Sequence, residues 1–96
     1  MSKESTLQSE IRKHLKSLGC DVLVITPGPG VPDGWEDMMF FKEGFWGALE
    51  VKKDPNAPYR PLQEERLKKH NEWSWAKRVD PTTWPEIRVE LEFLIP

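Results

Sequence analysis

Leu7, Ile11, Leu15 and Leu18 recur at intervals of three and four residues, and Gly19 follows them. That is the period of a helix, so residues 4–18 read as a helix with one buried stripe and a glycine stop. Asp21-Val22-Leu23-Val24-Ile25 then reads as a short buried strand. Thr26-Pro27-Gly28-Pro29-Gly30 closes it, since this run supports neither helix nor ladder.

Two apolar runs, Asp37–Phe41 and Trp46–Lys52, flank Lys42-Glu43-Gly44, whose glycine suits a tight reversal; together they predict a β-hairpin. Pro55, Pro58 and Pro61 mark an extended linker, and Pro61 fits the first position of a second helix running to about Ala76. Glu64 and Glu65 near its start, with Lys68, Lys69 and His70 further along, follow the order the helix dipole favours. At the end of the chain Ile87, Val89, Leu91 and Phe93 alternate with Arg88, Glu90 and Glu92, the period of a half-exposed strand. The predicted order is helix, three strands, helix, strand, in one α/β domain without internal repeats.

Length and composition narrow the picture. Ninety-six residues hold one core, and 38% hydrophobic with 31% charged residues is the composition of a folded domain rather than a disordered tail. One cysteine, Cys20, excludes an intramolecular disulfide and suits a reducing cytoplasm. No apolar run has the length of a membrane span, so no membrane partner is expected. The net charge of -2 is unlike that of a strongly basic nucleic-acid binder, but acidic residues that hold a metal count against net charge while serving a polyanionic substrate.

Glu50 and Lys52 stand two apart on a predicted strand, so both project from one face while Leu49 and Val51 point to the core. No other acid stands two residues before a lysine, and Pro32-Asp33 is the one Pro-Asp step in the chain. Turn-forming residues around Asp33 can bring it beside the hairpin. Two adjacent carboxylates repel unless a proton or cation neutralises them, and Mg²⁺ prefers hard oxygen ligands with retained waters. Such a cation acidifies a water and polarises a phosphate, while a lysine offsets the charge that develops. A solvated surface ion pair is the competing reading of Glu50 and Lys52.

Gly30-Val31-Pro32-Asp33, then Ala48-Leu49-Glu50-Val51-Lys52-Lys53, then Pro61-Leu62-Gln63 resemble the successive motifs of the PD-(D/E)xK nuclease superfamily, and within it of the virus-type replication-repair nuclease domains. The resemblance covers nearly the whole chain. It implies a restriction-endonuclease-like αβββαβ core with a mixed central sheet flanked by helices. It further implies metal ligation by Asp33, Glu50 and the Val51 carbonyl, catalysis by Lys52, a helix-borne Gln63, and Mg²⁺ or Mn²⁺ as cofactor. In such nucleases the first helix often adds an acid; Glu4 matches best, with Gln8 one turn on and Glu10 as a competitor. The implied activity is endonucleolytic cleavage of DNA to a 5′-phosphate and a 3′-hydroxyl, on branched substrates such as four-way junctions, by a homodimer in the cytoplasm of a bacterium or phage-infected cell.

Arg60, Arg66, Lys69 and Lys53 are candidates to contact the DNA backbone, with Tyr59, Lys68, Lys77 and Arg78 in the same basic segment. A merely solvated charged helix is the alternative. Trp73, Trp75 and Trp84 are expected in the core or a subunit contact rather than stacked on bases. Gln63 either turns inward with Leu67 and His70 or lies in water at the helix start. His14, His70 and Cys20 are assigned no catalytic part. The rival function is a nuclease fold without activity, serving as a DNA-binding or protein-interaction module.

Overall fold

A computed structural model describes residues 3–96 of the protein. The elements are α1 (Lys3–Ser17), β1 (Asp21–Val24), β2 (Met38–Lys42), β3 (Phe45–Val51), α2 (Gln63–Trp73), β4 (Trp75–Val79) and α3 (Trp84–Leu94). The strands form one mixed sheet in the order β1-β2-β3-β4. β1, β2 and β3 pair antiparallel, and β4 returns through α2 to lie parallel to β3. This α/β arrangement is compatible with a nuclease-like core: αβββαβ, with α3 appended.

The two sheet faces carry separate apolar clusters. On one, Leu7, Ile11 and Leu15 of α1 and Trp84, Ile87 and Leu91 of α3 meet Met38, Phe40, Leu49, Val51 and Val79. On the other, Leu67 of α2 packs on Ala48 and Ala76, with Met39 and Tyr59 at the margin. Two alanines let the helix come close to the strands, and strand periodicity then places Glu50, two residues from Ala48, on the α2 side.

Three sequence expectations are corrected. β1 is an edge strand rather than a buried one: Leu23 is 51% exposed, because α2 lies over β3 and β4 and leaves the β1 side of that face open. The second helix begins at Gln63 and ends at Trp73, and Trp75–Val79 is strand. No glycine or proline marks that end. Instead Ser74 N–H caps onto the His70 carbonyl, the Asn71 side chain accepts from Ala76 N–H at 3.1 Å, and parallel pairing with β3 takes the chain onward. Finally, residues 87–93 are helix. Trp84, Ile87 and Leu91 are buried at helical spacing, whereas Phe93 of the alternating set is 87% exposed. Pro85 supplies the fixed φ of a first turn, and Asp80 accepts from Thr82 and Thr83 just before it. Four residues at period two had masked three at period three to four.

Candidate active site

The hairpin register builds the site. Met38 lies opposite Leu49, so the residue before β2, Asp37, falls opposite Glu50. Asp37 is anchored on both sides: its carbonyl accepts from Ile25 N–H at 2.7 Å, and its Oδ2 accepts from Val51 N–H at 2.8 Å. The carboxylate that meets Glu50 is therefore Asp37 and not Asp33. Asp33 is exposed on the 25–36 loop, and its hydrogen bond is made by its backbone carbonyl, which accepts from the Arg66 guanidinium at 3.2 Å. The Glu36-Asp37 step directly before a hairpin strand is the sequence signal for this acid.

Glu50 is 1% exposed and Asp37 8%. Burial drives the Glu50 carboxyl pKa up to about 8, helped by the hydrogen bond and charge of Asp37 and opposed by Lys52 and Arg60. Gln63 ties the set together. Its Nε2 donates to Glu50 Oε1 at 2.8 Å, and its Oε1 accepts from Lys52 Nζ at 3.0 Å and Arg60 N–H at 2.6 Å. Lys52 Nζ lies 3.4 Å from Glu50 Oε1, and the Arg60 guanidinium 3.6 Å from Asp37 Oδ1. The inward reading of Gln63 is the observed one.

A spacer of amide chemistry is what this position requires, since one end must donate to an acid and the other accept from an ammonium. Leu62, just before Gln63, adopts a left-handed backbone (φ 68°) and turns the chain into α2 at the site. Gly34 closes the loop over it. A Cβ there would stand 2.7 Å from the Leu62 carbonyl group, and its own φ of +85° favours glycine.

The oxygens present suit a hard divalent cation. Asp37 and Glu50 offer carboxylates that repel until neutralised, and the Val51 carbonyl shares a strand edge with the Val51 N–H that Asp37 accepts from. Among the described residues no group of three or more His, Cys, Asp or Glu could hold a metal. Two acids and a carbonyl are what these residues would offer such a cation, a set that Mg²⁺ accepts only while keeping waters.

The other candidates are more scattered. α1 packs on the opposite sheet face, and among the described residues no hydrogen bond or ion pair joins Glu4, Gln8 or Glu10 to the set. Lys53 is exposed and lines a separate cleft with Glu10, Asp54 and Trp84. Arg60 borders the site, and Arg66 lies over the Trp35 ring at 5.1 Å, bound to the Asp33 carbonyl. Lys69 lies further along α2, with its ammonium 5.6 Å from the Trp73 ring. Arg78 is structural: its guanidinium stacks 4.9 Å from Tyr59 and donates to the carbonyls of Asp54, Pro55 and Ala57.

Beside the site lies a pair that the sequence did not single out. Glu36 and His70, both buried, meet at 2.5 Å, and Trp35, Trp46 and Trp73 surround the imidazole. Compared with known protein families, characterised proteins and solved structures, the chain matches none. Among the described residues no helix is long and apolar enough to cross a membrane.

Proposed function

We propose that this protein is a Mg²⁺-dependent deoxyribonuclease of the PD-(D/E)xK kind, acting as an endonuclease on branched DNA, with Mn²⁺ able to replace Mg²⁺. The observation that carries the proposal is the convergence of Asp37, Glu50, Lys52 and Gln63 at the end of β3, with Glu50 desolvated beside a second acid. A solvated surface pair would not bury a carboxylate to 1% exposure. Nor does a pure binding module need a buried carboxyl that must keep a proton or meet a cation beside a second acid.

In this reading Asp37, Glu50 and the Val51 carbonyl hold the cation, which when bound supplies a water of lowered pKa and neutralises phosphate charge. Lys52, fixed by Gln63, donates to the phosphoryl oxygen on which negative charge grows. Gln63 keeps the ammonium from collapsing fully onto Glu50. Arg60, exposed at the rim, gives up its longer contact with Asp37 to a neighbouring phosphate. Cleavage leaves a 5′-phosphate and a 3′-hydroxyl. A homodimer in the cytoplasm, with one site for each cut strand, suits a two-fold symmetric four-way junction.

The test is cleavage of labelled four-way junction, flap, duplex and single-stranded DNA in Mg²⁺, Mn²⁺ or EDTA by wild type, Asp37→Asn, Glu50→Ala and Lys52→Ala. Metal-dependent cutting lost in all three variants is the expected result. Binding without cutting on every substrate would instead favour the inactive-module reading.

A further inference from the structure

Three of the five tryptophans gather on one side of the site. Trp35, Trp46 and Trp73 place their ring centroids 5.0, 5.8 and 5.7 Å from that of His70. The Glu36 carboxylate fixes the imidazole by its Nδ1, so the shelf has a rigid floor. At its outer end Trp73 is 66% exposed, so of the two places expected for it, the core or a subunit contact, it does not occupy the core. Cations alternate with the rings: Lys69 over Trp73 at 5.6 Å and Arg66 over Trp35 at 5.1 Å. Among the described residues neither cation is engaged in an ion pair with an acid.

The shelf leads to the chemistry. Trp35 lines a cleft of about 550 Å³ with Asp33 and Arg60, and Arg60 reaches Asp37. Trp73 and Gln63 are the two ends of α2. At a helical rise of ~1.5 Å per residue they stand roughly 15 Å apart, on the order of four stacked nucleotides at ~3.4 Å each.

We propose that Trp73, with Lys69, Arg66 and Trp35, forms a stacking shelf for unpaired nucleotides, which holds a single-stranded arm of the DNA as it leaves the cleavage site. Aromatic faces interleaved with cations are how single strands are gripped, because every base has a π-face whereas a closed duplex presents none along its length. A subunit contact centred on Trp73 would instead bury Lys69, Asn71 and Glu72, and charged residues are depleted from the cores of such interfaces. The proposal rests on the nuclease reading and narrows its branched substrates to those with an unpaired segment beside the cut, a flap or single-stranded arm rather than a fully paired four-way junction.

The experiment is fluorescence anisotropy of the full chain in EDTA with a labelled oligo-dT, a blunt duplex and a duplex bearing a single-stranded arm. Wild type is compared with Trp73→Ala, Trp73→Phe and Lys69→Ala, each checked by thermal melting and light scattering. Trp73→Ala should weaken binding to oligo-dT and the armed duplex by roughly ten-fold or more, with Trp73→Phe recovering most of it and the blunt duplex unaffected. Unchanged affinity of Trp73→Ala for the armed duplex, with the nuclease variants still inactive, overturns the shelf alone. Equal loss on all three DNAs, in step with a dimer becoming a monomer, makes Trp73 a subunit contact and also overturns it. If wild type binds no DNA and cuts none, both the shelf and the nuclease reading fall.

Discussion

Asp37 and Asp33 separate the two ways of choosing an acid. Asp37→Asn removes a carboxylate that is buried against Glu50, whereas Asp33→Asn changes an exposed side chain in a loop. The first should abolish calorimetric Mn²⁺ binding and lower cleavage by at least ~100-fold, the scale of losing a transition-state charge stabiliser. The second should stay within a few-fold of wild type. Equal damage from both would return Asp33 to the metal. The acid at Glu50 also makes a pH prediction. Unfolded, its carboxyl titrates near 4.5; folded and without a cation, it titrates near 8. Between these values the native state keeps a proton that the unfolded chain has released, so stability falls as pH rises through the window and levels off above it. Denaturant melts in EDTA from pH 4 to 9 should show this slope in wild type and a flatter one in Glu50→Gln. A difference between the two proteins that does not change with pH would contradict it. Glu50 and Lys52 were legible together because a two-residue spacing on a strand is a local fact, whereas Gln63 stood open between interior and water until the packing of α2 turned it inward. Asp37 was not legible, because its place depends on which residue of β2 faces which residue of β3, a matter of register rather than motif.

At the level of elements, α3 gives the clearest contrast. Read as a strand, residues 87, 89, 91 and 93 would share one environment. In the helix they do not: Ile87 and Leu91 are buried, and Val89 and Phe93 are exposed. Leu91→Ala should therefore cost about 2–5 kcal/mol in urea unfolding, and Phe93→Ala within ~0.5 kcal/mol. Similar losses at both positions would argue against the helix. α1 and the hairpin could be read from sequence because each has an unambiguous period. β4 could not, since Trp75-Ala76-Lys77-Arg78-Val79 follows a strong helical segment without a break and becomes strand only by pairing with β3. Arg78 shows the same dependence on tertiary context. Its charge suggested DNA contact, yet it pins the 54–57 loop through three carbonyls. Arg78→Ala should speed hydrogen exchange in residues 54–60 while leaving α1 and α3 protected, as expected when a local anchor is lost.

For the whole molecule, a cation that binds only the native state must raise stability by linkage. Mg²⁺ or Mn²⁺ should increase the melting temperature of wild type, more at pH 8 than at pH 5, where the cation has to displace the proton from Glu50. The increase should vanish in Glu50→Gln and on adding EDTA. A pH-independent rise that survives in Glu50→Gln would place the cation elsewhere.

The turn between β2 and β3 is two residues, Glu43 and Gly44, and Gly44 has a φ of +76°. Because Asp37 reaches Glu50 only through the pairing that this turn sets, one residue added to either strand would carry one acid to the opposite side of the sheet. Residues 26–32 carry none of the contacts that fix 33–37, so the length of that stretch can change without moving either acid. With one segment a ruler and the other a slack rope, insertions and deletions should collect in residues 26–32 and be absent from 37–50 wherever the chemistry is kept.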